Sequence, residues 1–164
     1  MIGTMPSRFF EIVDQLLEYY PDTDIAVLEK AYVFVARAYR GKPRLQGESY
    51  IAHPLAVAGI VARMRLDVVT VVAAMLHDVL VDGVCSMESL EEQFDVHVAR
   101  VVKGVTKISQ LDFSRRKEEQ AEYMRNMVLA LSEDIRVLLV KLAERYHDMK
   151  SFEHLCSEEQ RTLA

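Results

Sequence analysis

The stretch His77-Asp78-Val79-Leu80-Val81-Asp82 puts an imidazole and two carboxylates directly after the apolar run from Val68 to Leu76. That run predicts a buried helix, and an unpaired polar group buried at its end costs about 2–7 kcal/mol. Adjacent His and Asp offer one nitrogen and one oxygen donor, a pair suited to a divalent cation. Two other segments each place a donor of the same type near a predicted helix end: His53, directly before Pro54, and Glu144, in the last long apolar-patterned stretch. Two histidines and two carboxylates suit manganese, iron, magnesium or zinc rather than a thiolate site. Every contact needed is long-range, so spacing leaves two readings open: one shared cation, or separate polar residues exposed at helix ends.

The elements that must position these residues read as helices. Ser7 can cap a helix to Tyr20, with Phe10, Val13, Leu16, Leu17 and Tyr20 on one face and Pro21 as its stop. Asp24 caps a helix from Ile25 to Arg40 with Val27, Leu28, Ala31, Val35 and Ala38 inward, and Gly41 ends it. Residues 41–49 hold two glycines and a proline and predict an exposed, irregular loop. His53 then stands just before a helix from Pro54 to Met64, because proline fits the first helical turn and disfavours helical geometry in the residue before it. Asp67 caps the central helix that ends at His77. Ser86 starts a short helix to Phe94, and Asp95 caps another to about Ile108.

Residues 109–118 have few apolar anchors and predict a mobile loop; residues 119–131 read as a helix with Met124, Met127, Val128 and Leu131 inward. Asp134 opens the last long helix, from Ile135 to about Phe152, with Val137-Leu138-Leu139-Val140 central to the core. Ser157 to Gln160 is a capping box whose helix is left at Ala164, which implies a fragment of a longer protein. Strand signals are almost absent, so the expected class is an all-α bundle forming one domain over residues 1–164.

Composition narrows the function classes. With 51% hydrophobic and 27% charged residues the chain is ordinary globular protein. No apolar run approaches the ~20 residues of a membrane span, and the first residues lack a signal-peptide layout. Cys85 and Cys156 have no metal or redox spacing and read as reduced thiols of a cytoplasmic protein. A net charge of −5 argues against a direct DNA binder, though not against a small anion held beside a metal. His97 and His154 read as solvated helix positions, His147 as a core hydrogen-bonder that orients a neighbour, and the eight methionines as core filler.

Four blocks then carry a resemblance: Gly47-Glu48-Ser49-Tyr50-Ile51-Ala52-His53-Pro54-Leu55-Ala56-Val57-Ala58; Ala74-Met75-Leu76-His77-Asp78; Val102-Lys103-Gly104-Val105-Thr106-Lys107; and residues 134–149, which include Lys141-Leu142-Ala143-Glu144-Arg145-Tyr146-His147-Asp148. In this order they resemble the N-terminal HD-type hydrolase domain of the RelA/SpoT family over nearly the whole chain. The tail from Leu155 also resembles the long members, whose next segment is a (p)ppGpp synthetase. The resemblance implies an HD-domain helical bundle that binds manganese and removes pyrophosphate from the 3′ position of guanosine tetra- and pentaphosphate. It implies His53, His77 and Asp78 as metal ligands, with Glu144 standing where the family has an aspartate ligand. Asp82 matches the second acid of the family's Glu-Asp pair, and Arg44 a basic residue that contacts the nucleotide.

The departures cluster at the same site. Val81 replaces the glutamate credited with helping to activate water, and Leu45 replaces a second basic residue. Asp148 replaces an asparagine at the nucleotide-binding position, and Glu144 adds a methylene. The expectation is a hydrolase domain with weakened or lost chemistry that regulates a downstream synthetase. The alternatives are an active Mn-dependent (p)ppGpp 3′-pyrophosphohydrolase and an HD-type phosphohydrolase for another nucleotide.

Overall fold

A computed structural model of the chain describes residues 5–41, 49–110, 125, 128 and 134–152. Among these it forms seven helices and no strand: α1 Ser7–Tyr19, α2 Ile25–Ala38, α3 Ala52–Arg63, α4 Val68–Leu76, α5 Met87–Phe94, α6 Val96–Ser109 and α7 Ile135–Phe152. The expected all-α bundle is the observed class. None of the described helices is long and apolar enough to cross a membrane.

Side-chain caps start five of the helices. Asp24 accepts from the Ala26 amide at 2.9 Å, Asp67 from Thr70 at 2.8 Å, Ser86 from Ser89 at 3.2 Å, Asp95 from His97 at 2.6 Å and Asp134 from Arg136 at 3.0 Å. Each satisfies an amide that a helix start leaves without an internal partner. Helix α1 differs from expectation: Pro6 occupies the cap position and Ser7 is already helical. Its buried face is Phe9, Ile12, Val13 and Leu16, while Phe10 and Tyr20 are exposed. Apolar residues cover two adjacent stripes of α1, and contact with α3 selects the one led by Phe9.

Helices α3 and α4 form the centre. In α4 every residue from Thr70 to Leu76 is buried, because α2, α3, α6 and α7 surround it. Helix α3 packs on α1, α4 and α7. It begins at Ala52 rather than Pro54, so His53 is inside its first turn; proline's lack of an amide hydrogen does no harm there. Gly104 of α6 lets α7 approach closely, since a Cβ at that position would stand 2.5 Å from Val137 Cγ2. Val137 and Val140 of α7 are buried as expected, whereas Leu138 and Leu139 are half-buried. Val128, expected inward, is exposed. Met124, Met127 and Leu131 of the expected helix over 119–131 lie outside the described residues, as do residues 42–48 and 111–118 of the expected loops, His154, Cys156 and the capping box, while Ser109, expected in a loop, is the last residue of α6.

Arg136 fixes the register of α4 against α7. It donates to Asp134 at the start of α7 and, at 3.1 Å, to Asp67 at the start of α4. The two helices therefore start together and run in the same direction. Helix α3, joined to α4 by a short turn, runs back alongside both, so its first residues meet the far ends of α4 and α7.

Candidate metal centre

That meeting point collects the chemistry. His53, in the first turn of α3, is 3% exposed, and His77, the C-cap of α4, is 1% exposed. His77 Nδ1 donates to the Ala74 carbonyl at 2.8 Å, which fixes its tautomer and leaves Nε2 as a bare lone pair. That lone pair faces His53 Nε2 at 3.2 Å and Asp78 Oδ1 at 3.2 Å. Asp78 Oδ2 is 3.9 Å from His53 Nε2. Donors about 2.0–2.2 Å from one ion stand about 2.8–4.4 Å apart, from cis to trans pairs. The two imidazoles and the Asp78 carboxylate therefore fit a divalent cation in both donor chemistry and spacing.

After α4 the chain turns through residues 77–83, ending at Gly83 with φ +64°. The Asp82 amide donates to the Asp78 carbonyl at 2.9 Å, which sets the two carboxylates one turn apart although the α-helix itself stops at Leu76. Two tyrosines bind them together. Tyr39 donates to Asp82 Oδ2 at 2.9 Å; Tyr50 lies 2.6 Å from the same oxygen and 3.1 Å from Asp78 Oδ2. Their rings stack at 3.7 Å with planes 7° apart. Burial, and after it the hydrogen bond to Asp82, push the Tyr39 phenol far above the usual tyrosine range. Burial and then the Asp78 charge do the same for Tyr50, so both remain proton donors.

On α7 the residues divide. Glu144 lies one turn after buried Lys141, whose ammonium donates to both its carboxylate oxygens at 2.7 Å and to Ser109 at 2.8 Å. Its carboxylate is thus engaged by a cation of the chain and belongs to neither donor group that the structure assembles around His53. His147 and Asp148, one turn further on, do approach: His147 Nδ1 is 3.1 Å from His53 Nδ1, and Asp148 Oδ1 is 3.9 Å from both. Arg44 lies outside the described residues.

Sequence reasoning gave His147 only an orienting part and did not single out Tyr39 or Tyr50. Tyr50 sits within a block that carries the resemblance, three residues before His53, which was the one available signal. Nothing local marks Tyr39, because its partner is 43 residues away.

Comparison with known proteins agrees with this geometry. A family model described as an HD domain matches residues 31–164. The chain is 43% identical over 150 residues to a GTP pyrophosphokinase of Myxococcus xanthus, covering 90% of this chain and 20% of that protein. It is 43% identical over 156 residues to the bifunctional (p)ppGpp synthase/hydrolase SpoT of Escherichia coli (strain K12), covering 94% of this chain and 22% of the relative. A GTP pyrophosphokinase rsh of Brucella suis biovar 1 (strain 1330) is 38% identical over 157 residues, covering 96% of this chain and 21% of the relative. The chain thus spans about a fifth of the length of these relatives.

Proposed function

Because the chain belongs to the HD-domain family, with RelA/SpoT proteins as its relatives over most of its length, we propose that it serves (p)ppGpp metabolism. In this reading it is a metal-dependent 3′-pyrophosphohydrolase fold with weakened or lost hydrolysis, and it regulates a (p)ppGpp synthetase region of a longer, cytoplasmic protein. Neither a membrane nor DNA is among its partners. The observation that carries the reading is the turn over 77–83. It keeps the ligand pair His77-Asp78 next to His53 and has valine at 81, where the resemblance implies an acid.

His53, His77 and Asp78 would hold the cation, proposed to be manganese. When bound, it supplies charge that polarises a phosphate oxygen and makes a water more acidic. Asp82 is the remaining acid of its pair, and its Oδ2 already accepts from Tyr39 and lies within reach of the Tyr50 hydroxyl. Among the described residues Oδ1 is the oxygen left to orient a water, and Val81 can neither accept a proton nor hold one. Loss of a general base lowers a rate by about 10²–10⁴. Asp148 adds a negative charge beside His53, which disfavours an anionic nucleotide. In this reading Arg44 contacts the guanosine tetra- or pentaphosphate.

The deciding experiment is ppGpp hydrolysis by the purified chain with and without Mn²⁺, for the unmodified protein and for Val81→Glu, alone and with Glu144→Asp and Asp148→Asn. Low activity that rises ten-fold or more, about 1.4 kcal/mol of barrier, is the expected result. A second reading, an active Mn-dependent (p)ppGpp 3′-pyrophosphohydrolase, is favoured by the intact His53, His77 and Asp78 group. Robust Mn²⁺-dependent turnover by the unmodified chain would leave that reading standing and remove the regulatory one.

A further inference from the structure

The His53 ring has donors on both sides, and the α7 side is a second group of metal-ligand type. From His53 Nδ1, His147 Nδ1 and Asp148 Oδ1 the geometry points to a second divalent-cation position, alternative to the one at His53, His77 and Asp78. It rests on the reading of His53 as a ligand and goes beyond it, because none of its α7 donors is the position-144 carboxylate implied by the resemblance. The separations are 3.1 Å between the two nitrogens and 3.9 Å from each to Asp148 Oδ1, within the ~2.8–4.4 Å that donors around one ion span. Two imidazoles and one carboxylate suit manganese, zinc or iron.

Two features of this chain support the assignment. Glu144 is held by Lys141, so α7 presents its next turn to His53 instead. Asp148 supplies a charged oxygen where the resemblance implies an amide, a change that repels a nucleotide but attracts a cation.

The two positions exclude each other through a single proton. A neutral imidazole has one N–H and one lone pair. With a cation at His53 Nε2, the proton sits on His53 Nδ1 and is donated to His147. With a cation at Nδ1, the proton moves to Nε2 and is donated to the bare Nε2 of His77, whose own proton is fixed on the Ala74 carbonyl. Each state satisfies every nitrogen between His77 and His53. Filling both positions at once would require an imidazolate.

Calorimetric titration of this chain with Mn²⁺ tests the proposal. One ion per chain is expected for the unmodified protein and for Asp78→Asn and Asp148→Asn singly, each single variant binding about ten-fold more weakly at most. The double variant should lose at least a hundred-fold. Because partly exposed Asp78, Asp148 and His147 are altered instead of buried His77, folding is checked simply by circular dichroism. Complete loss of binding in Asp78→Asn, with no change in Asp148→Asn or His147→Gln, would overturn the α7 position and leave the proposed HD site standing. Loss in Asp148→Asn and His147→Gln alone would support the α7 position and remove the other. Two ions per chain would overturn their exclusion, and no binding at all would overturn both. In crystals of the unmodified chain soaked with Co²⁺, an anomalous peak only between His53, His77 and Asp78 would also overturn the proposal.

Discussion

At the scale of single residues, the Asp78 carboxylate shows how much of a candidate metal centre depends on groups beyond its candidate ligands. Oδ1 faces His77 Nε2 at 3.2 Å, and Oδ2 lies 3.1 Å from the Tyr50 hydroxyl, which opposes rotation of the carboxylate. Partners that orient ligands in this way are worth about 10–100-fold in metal affinity. Tyr50→Phe keeps the ring stacked on Tyr39 and removes the hydroxyl alone. We expect about ten-fold weaker Mn²⁺ binding with little change in the metal-free melting temperature. A melting point that falls while affinity stays constant would make Tyr50 a packing residue only. The sequence made His53, His77 and Asp78 legible because they lie inside contiguous blocks with a recognisable order. Tyr39 and His147 were not legible as site residues: their value comes from partners 43 and 94 residues away, which no local pattern encodes. Glu144 was read from its position in a block, but its carboxylate is set by Lys141 one turn earlier, a choice only packing decides.

At the scale of elements, Arg136 and the two aspartates it joins fix how far α4 and α7 reach towards His53. The Arg136 guanidinium, hydrogen-bonded to Asp134, holds that carboxyl below the usual carboxylate range. A group depressed in the folded state contributes stability that is fully present above its unfolded value near ~4 and is lost as pH falls through its folded value. Asp134→Asn keeps a cap acceptor and removes the charge, so it should cost about 1–2 kcal/mol at neutral pH. The gap from the unmodified chain should narrow as pH falls below ~4. Urea unfolding at neutral and acidic pH measures it, and a gap independent of pH would remove the ion pair from the account. The cap residues Asp24, Asp67, Ser86, Asp95 and Asp134 were readable because capping is local chemistry. The buried face of α1 and the start of α3 were not: two apolar stripes compete on α1, and tertiary contact with α4 and α7 carries helical geometry back through His53 despite the proline after it.

At the scale of the whole molecule, the candidate donors come from α3, from the end of α4 and from α7, so an ion bound at His53 would link α3 to α4 or to α7. The imidazole nitrogens of these groups lie in a run at hydrogen-bond distance from His147 through His53 and His77 to the Ala74 carbonyl. An ion bound at this candidate centre would act as a ligand of the folded state, stabilising it by about 2.7 kcal/mol at a hundred times its dissociation constant. For a domain of this size that is a rise in melting temperature of about 5–10 °C. Addition of Mn²⁺ to the unmodified chain should give this rise, and a chelator should reverse it. His53→Gln should abolish the rise whichever position the ion takes, since His53 belongs to both donor groups. The comparison is of the Mn²⁺-induced shift in each protein, so any loss of intrinsic stability in the variant does not enter it. An undiminished shift in His53→Gln would place the ion elsewhere on the molecule and sink the shared-imidazole centre.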